Sequence, residues 1–185
     1  MTKGQLTLPQ IPGPALVVGP VFLCFEVPPL PRKPKKNDRG EKIVGEPVVP
    51  FNKKHCARIV HPRGRNSFVH EYDDPESAEW KQTIRAIAER YMRGRLPTAL
   101  PVALLVHAFR PVPESWSKRD RELALLGAIL PTSKPDDDNY LKIRDALNGV
   151  VWNDDAQCCD SRVLKLYSAR PALRIEVREF MPPQQ

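Results

Sequence analysis

Asp136, Asp137 and Asp138 stand in a row, followed by Asn139, Lys142, Asp145 and then Asp154 and Asp155. With Asp160, seven carboxylates fall within residues 136–160, although like charges inside a Debye length repel one another. Something must hold that charge. Carboxylate oxygens are the donors that a hard divalent cation takes, Mg²⁺ first and Mn²⁺ as a substitute. With a metal so held, the set reads as metal-assisted phosphodiester chemistry.

The charge distribution agrees. Residues 136–160 hold seven Asp against Lys142 and Arg144, a net of −5, so the remainder carries +12 to give the total of +7. An acidic pocket in a basic body is the layout of an enzyme acting on nucleic acid: the basic surface neutralises phosphates and the acids hold the ion. On charge alone, a solvated acidic loop on a basic protein fits equally well. Pro31-Arg32-Lys33-Pro34-Lys35-Lys36 lies in a ten-residue stretch with five positive charges against one negative, held extended by proline. Arg32, Lys33, Lys35, Lys36 and, beside the acids, Lys134 are candidate phosphate contacts; a solvated linker is the plain alternative for the loop.

These residues need a scaffold. At 185 residues the chain fits one domain with a sizeable core. Residues 1–20, rich in Gly and Pro, read as a flexible N-terminal arm, and 21–185 as the working domain. Val21 to Val27 reads as the first strand, and Ala57 to Val60 with Ser67 to His70 as a hairpin around the basic turn 62–66. A helix capped by Ser77 buries Trp80, Ile84, Ile87, Ala88 and Tyr91 and ends at Gly94. Val102 to Phe109 reads as a central strand covered on both faces. Trp116 to Leu130 reads as a helix capped by Ser115 or Ser117, with Leu123, Leu126 and Leu130 inward and Pro131 as its stop. Val163 to Tyr167 and Leu173 to Phe180 alternate as half-buried strands. The order predicts an α/β fold, a single domain with a mixed β-sheet flanked by helices.

The acids belong to one more helix, capped by an Asp at 136, 137 or 138 and ending at Asn148-Gly149. At about 100° per residue, Asp138, Lys142 and Asp145 fall near 0°, 40° and −20°, opposite Tyr140, Ile143 and Leu147 near 200°, 140° and 180°. The apolar face docks on the sheet; the other presents carboxylate, ammonium, carboxylate. Taken alone this is an i,i+4 ion pair of about 0.2–0.5 kcal/mol. The return of the chain at Asp154-Asp155 changes the balance, because Asp136 and Asp138 joined by Asp155 could close three sides of an Mg²⁺ site.

Lys134-Pro135-Asp136-Asp137-Asp138-Asn139-Tyr140-Leu141-Lys142, Asp145-Ala146-Leu147-Asn148-Gly149 and Trp152-Asn153-Asp154-Asp155-Ala156-Gln157 together closely resemble the signature of the RusA family of Holliday junction resolvases. The resemblance implies a homodimeric, Mg²⁺-dependent endonuclease that makes paired nicks in four-way DNA junctions, often of phage origin. By position it places metal-binding carboxylates on Asp136, Asp138 and Asp155 and a functional lysine on Lys142. The family usually has an apolar residue where this chain has Asp137.

Two other functions fit parts of the sequence. A non-catalytic binder of branched DNA would use the acids only as caps and ion-pair partners; retention of all three acids and the lysine argues against it. A Mg²⁺-dependent phosphotransferase needs a Gly-rich phosphate cradle, and no GxxxxGK[ST] loop is present. No apolar run approaches the roughly 20 residues of a membrane span, and the N-terminus lacks a signal-peptide pattern, so a cytoplasmic protein without membrane contact is expected. Cys24, Cys56, Cys158 and Cys159 include no CxxC pair and are expected as reduced core thiols.

Overall fold

The computed structural model describes residues 17–29, 35–36, 42–43, 56–60, 68–72 and 75–181. In chain order these form β1 (Val17–Val27), β2 (Lys35–Lys36), β3 (Lys42–Ile43), β4 (Cys56–Val60), β5 (Phe68–Tyr72), α1 (Pro75–Met92), β6 (Val102–Pro111), α2 (Lys118–Leu125), α3 (Asp137–Leu141), α4 (Ile143–Leu147), the 3-10 turn η1 (Asp155–Gln157), β7 (Cys158–Ser168) and β8 (Ala172–Met181). The main sheet has the order β1-β8-β6-β7. β8 pairs antiparallel with both β1 and β6, whereas β7 runs parallel to β6, so the sheet is mixed as the sequence predicts. The parallel pair requires a crossover, and α2, α3, α4 and η1 supply it.

One face of this sheet is apolar. Val102, Leu104, Val106 and Ala108 of β6, Leu173, Ile175 and Val177 of β8, and Leu23, Phe25 and Val27 of β1 are buried at every second position, as the pleat demands. Onto them pack Trp80, Ile84, Ala88 and Met92 of α1 and Tyr140, Ile143 and Leu147 of α3 and α4. Full burial of each Val, Leu, Ile, Phe or Met among them contributes about 1.5–3 kcal/mol. The acidic segment is therefore anchored from beneath by its own apolar face.

Several elements differ from expectation. β1 begins at Val17, so residues 17–20, assigned from the sequence to the arm, pair with the end of β8 through Val17 to Met181 and Val18 to Phe180. Gly19 explains how the strand passes there: a Cβ would stand 2.8 Å from the Glu179 carbonyl oxygen. Pro20 falls at a register shift, where a missing donor costs no ladder bond. α1 starts at Pro75, a residue preorganised for the first helical position, and Ser77 is buried within the helix rather than capping it. Tyr91 is exposed, its ring 5.7 Å from that of Phe25.

The second face of β6 is only half-covered, since Ala103, Leu105, His107 and Phe109 are partly accessible. α2 is shorter than predicted. Ser117 caps it, its hydroxyl accepting from the Asp120 amide at 3.1 Å, but it stops at Leu125, and Gly127 turns the chain with φ 78°. Leu126 and Leu130, expected in the core, are exposed, Leu126 at 81%. β7 begins at Cys158, five residues earlier than predicted, leaving Cys159 exposed rather than in the core. The hairpin β4–β5 pairs Val60 with Phe68 and Cys56 with Tyr72, while its turn lies outside the described residues. Among the described residues no helix is long and apolar enough to cross a membrane.

Candidate active site

The first acids sit where the crossover returns to the sheet. Arg110, at the end of β6, donates from Nη1 to the Ser133 carbonyl at 3.0 Å and to its hydroxyl at 3.2 Å. Lys165 on β7 donates from Nζ to the Pro135 carbonyl at 3.3 Å, and the Lys134–Pro135 bond is cis. The strand ends thus hold the backbone immediately before Asp136. Asp136 is the N-cap of α3 with extended dihedrals, yet its side chain makes no capping hydrogen bond. Asp137 Oδ1 accepts from the Asp138 amide at 3.1 Å, and Asp138 Oδ1 accepts from Asn139 Nδ2 at 3.2 Å. All three carboxylates are exposed, as is Lys134. Beneath them Tyr140 is buried, and burial pushes its phenol up to about 12 despite the opposing pull of the Arg110 charge.

Lys142 is a joint. The single predicted helix is two short ones, with Lys142 as both the C-cap of α3 and the N-cap of α4. Its amide donates to the Asp138 carbonyl at 3.3 Å, and its own carbonyl accepts from the Asp145 amide at 3.3 Å, a three-residue step that tightens the turn. The predicted buried face survives, with Tyr140, Ile143 and Leu147 all inward. The opposite stripe does not stay free: Asp145 accepts from Lys81 Nζ of α1 at 2.9 Å and so fastens α4 to that helix.

The second acidic group is built by a different set of contacts. After α4, Gly149 takes φ 71°, and the buried Trp152 donates its indole N–H to Asn148 Oδ1 at 2.8 Å. Thr98 donates its amide to the Val151 carbonyl at 2.9 Å, tying this turn to the residues that lead into β6. Asp154 caps η1, accepting from the Ala156 amide at 2.8 Å, in a capping box completed by Gln157. Asp155, half-buried, is the first residue of that turn. Burial pushes the neighbouring Cys158 thiol up to about 11; Arg144 opposes this, and Asp155 and Cys159 add to it.

The seven acids therefore sort themselves. Asp137 bonds to the backbone, Asp145 to Lys81, Asp154 to the backbone, and Asp160 to Arg162 at 2.9 Å. Asp138, among the described residues, receives only the side-chain amide of its neighbour. Among the described residues no hydrogen bond reaches the Asp136 or Asp155 carboxylates. Asp136, Asp138 and Asp155 are thus, among the described residues, the acids with neither an ion pair nor a backbone hydrogen bond to the carboxylate.

They are not all in one place. Pro135 lies by Lys165, which pairs with Ala108, whereas Asp155 precedes Cys158, which pairs with Val102. Six strand residues at about 3.3 Å each separate those positions, on the order of 20 Å. The helical path from Asp136 to Leu147 gives a similar figure, about 17 Å. Among the described residues no three His, Cys, Asp or Glu side chains gather as a metal site. The donors suit a hard cation, but one chain sets Asp136 and Asp138 at one end of the β6–β7 pair and Asp155 at the other.

The family described as Endodeoxyribonuclease RusA matches residues 47–178, which include β4 through most of β8 and every acid above. The chain belongs to the RusA family of endodeoxyribonucleases. It is also 40% identical over 142 residues to an uncharacterized protein, YqaN, of Bacillus subtilis (strain 168), a span covering 74% of this chain and 93% of that protein. As a RusA-family member the chain is a structure-specific endodeoxyribonuclease, and the α/β sheet with its helical crossover is the scaffold of that activity. Of the candidate phosphate contacts, Lys134 flanks the acids, and Lys35 and Lys36 form β2, paired with Ile43 and Lys42. Arg32, Lys33 and the side chains of Lys35 and Lys36 lie outside the described residues.

Sequence reasoning missed the supports. Gln157 was legible as the third residue after a capping Asp, a D-x-x-Q capping box. Arg110, just past the predicted central strand, and Lys165, on an alternating one, carried no such signal.

Proposed function

We propose that the chain resolves four-way DNA junctions by paired symmetric nicks, as a cytoplasmic, Mg²⁺-dependent homodimer whose nuclease domain runs from β1 onward. The observation that supports this reading is the sorting of the acids: among the described residues, Asp145 and Asp160 are ion-paired and Asp137 and Asp154 accept from backbone amides, while the Asp136, Asp138 and Asp155 carboxylates have neither kind of partner. The bound cation would supply Lewis acidity for attack of water on phosphorus. Arg110 and Lys165 hold the backbone of the first two acids, and η1 holds the third. Lys142, one turn from Asp138, would offset charge on the scissile phosphate, while Lys134 and the basic loop contact flanking phosphates.

The separation of the acids supports a site shared between two copies. Among the described residues β7 is one of the two edges of the main sheet, with β1 at the other. A two-fold axis crossing β7 near its middle would exchange its ends, carrying Asp155 of the partner subunit toward Asp136 and Asp138. Two equivalent sites would result, as symmetric nicking of a two-fold junction requires. Complementation tests this. In a mixed dimer of the Asp136→Asn/Asp138→Asn chain with the Asp155→Asn chain, shared sites leave one centre wholly intact, so nicking of one strand returns. If each centre is built within one chain, both remain broken and the mixture stays inactive.

A further inference from the structure

The side chain of Gln157 has more structural partners than any acid near it. Its Oε1 accepts from the amides of Asn153 at 2.9 Å and Asp154 at 3.0 Å. Its Nε2 donates to the carbonyls of Thr98 at 3.0 Å and Leu100 at 2.8 Å. Both lone pairs of the amide oxygen and both N–H groups are thereby used, and the four partners come from two segments 50 or more residues apart in sequence. One set is the loop that carries Asp155; the other leads into β6 at Val102, the strand against which Cys158 begins β7.

Capping alone needs only the first two bonds. A Glu at this position would accept from the same amides but would face the Thr98 and Leu100 carbonyls with no donor, so the amide, and not merely an acceptor, is what the geometry uses. Asp154 completes the local box, its carboxylate accepting from backbone amides of η1 such as that of Ala156 two residues away. Among the described residues the Asp155 carboxylate, in contrast, has no hydrogen bond; the residue follows Asp154, two positions before Gln157, and its carbonyl accepts from the Cys158 amide. Its placement depends on the backbone on either side.

From this geometry we infer that Gln157 is a positioning residue for the metal centre: its four hydrogen bonds fix the η1 backbone to the β6 lead-in and so set where the Asp155 carboxylate meets the cation. The inference rests on the reading of Asp155 as a metal ligand. Residues that orient a ligand through hydrogen bonds typically change metal affinity by about 10–100-fold when removed. The fold itself is held by the apolar face beneath α3 and α4, so the effect on unliganded stability is a separate quantity.

The test is the rise in melting temperature of the full-length protein, without DNA, titrated with Mn²⁺ and with Mg²⁺. Metal that binds only the folded chain raises the midpoint in proportion to its affinity. For Gln157→Ala the metal concentration giving half of the shift should rise at least about tenfold, alongside any drop in the metal-free midpoint. Gln157→Met, which keeps the length of the side chain and removes all four bonds, should shift it equally and guards against loss of folding through a packing defect. A half-point within about twofold of wild type in a folded variant, with only the metal-free midpoint lowered, would overturn the inference and leave Gln157 a structural cap. Asp155→Asn run in parallel separates the two claims. If it weakens metal binding and the Gln157 variants do not, positioning fails alone; if Asp155→Asn leaves the half-point unchanged, the metal-ligand reading fails with it.

Discussion

Asp138 differs from its neighbours in how little the fold asks of it. Asp137 is tied to a backbone amide, whereas among the described residues Asp138 accepts only from the Asn139 side chain, and it is exposed. Asp138→Asn should therefore fold normally and abolish cleavage. It should bind a junction as tightly as wild type or more tightly, because the substitution removes repulsion between the acids and phosphate as well as a ligand. Gel-shift and cleavage on the same preparation check this, and cutting near the wild-type rate would transfer the role to Asp137. The same comparison excludes the non-catalytic binder, for which binding and cutting have no reason to separate. At this scale the sequence made the acids and their spacing legible, whereas the contacts that separate Asp137, Asp145, Asp154 and Asp160 from Asp136, Asp138 and Asp155 come from the fold. It could not show that Asp145 pairs with Lys81, since the two are 64 residues apart.

At the scale of elements, Lys142 has two separable roles. As part of a helix surface pair, Lys142→Ala should cost a few tenths of a kcal/mol and leave turnover nearly untouched. As a positive charge facing the scissile phosphate, its loss should cost about 2.7–4 kcal/mol, or roughly 10²–10³ in single-turnover rate. The proposed mechanism expects the second outcome, and a rate within a few-fold of wild type would retire the lysine. Tyr140 beneath the same helix makes a pH prediction. Its phenol ionises near pH 10 when unfolded and near 12 when folded, so its stabilising contribution is complete below pH 10 and is lost as pH rises toward 12. The loss should reach roughly 2–3 kcal/mol. Cys158, raised to about 11, acts in the same direction from pH 9 upward. Denaturant midpoints measured from pH 8 to 11.5 should fall steeply only in the upper part of that range, and Tyr140→Phe should flatten the fall.

The elements also show where periodicity misleads. Trp80, Ile84 and Ala88 are buried as their spacing predicts because a sheet lies under them. Leu126 and Leu130 show similar helical spacing, yet α2 ends at Leu125 and the chain turns at Gly127, and both stay exposed. Spacing reveals a face and not what covers it. The helix at the acids was legible in its buried residues, but the tightening at Lys142 is a tertiary adjustment that fits α3 over the sheet and α4 against α1.

For the whole molecule, the mixed sheet and its helical crossover followed from the order of strands and helices, whereas the distribution of the acids along it did not. A linear signature places Asp136 and Asp155 19 residues apart, but only the β6–β7 register sets them at opposite ends of a strand pair. That arrangement, in a basic body carrying net +7, is what the junction-resolving account must explain as one machine. Its most direct test uses a synthetic four-way junction and a linear duplex of the same sequence, each incubated with the protein in Mg²⁺ or in EDTA, with products resolved on a denaturing gel. The account predicts nicks at symmetric positions in two opposing strands of the junction with Mg²⁺, none in EDTA, and an intact duplex. Equal cutting of the duplex, cutting of the junction in EDTA, or a junction bound but left whole in Mg²⁺ would contradict it.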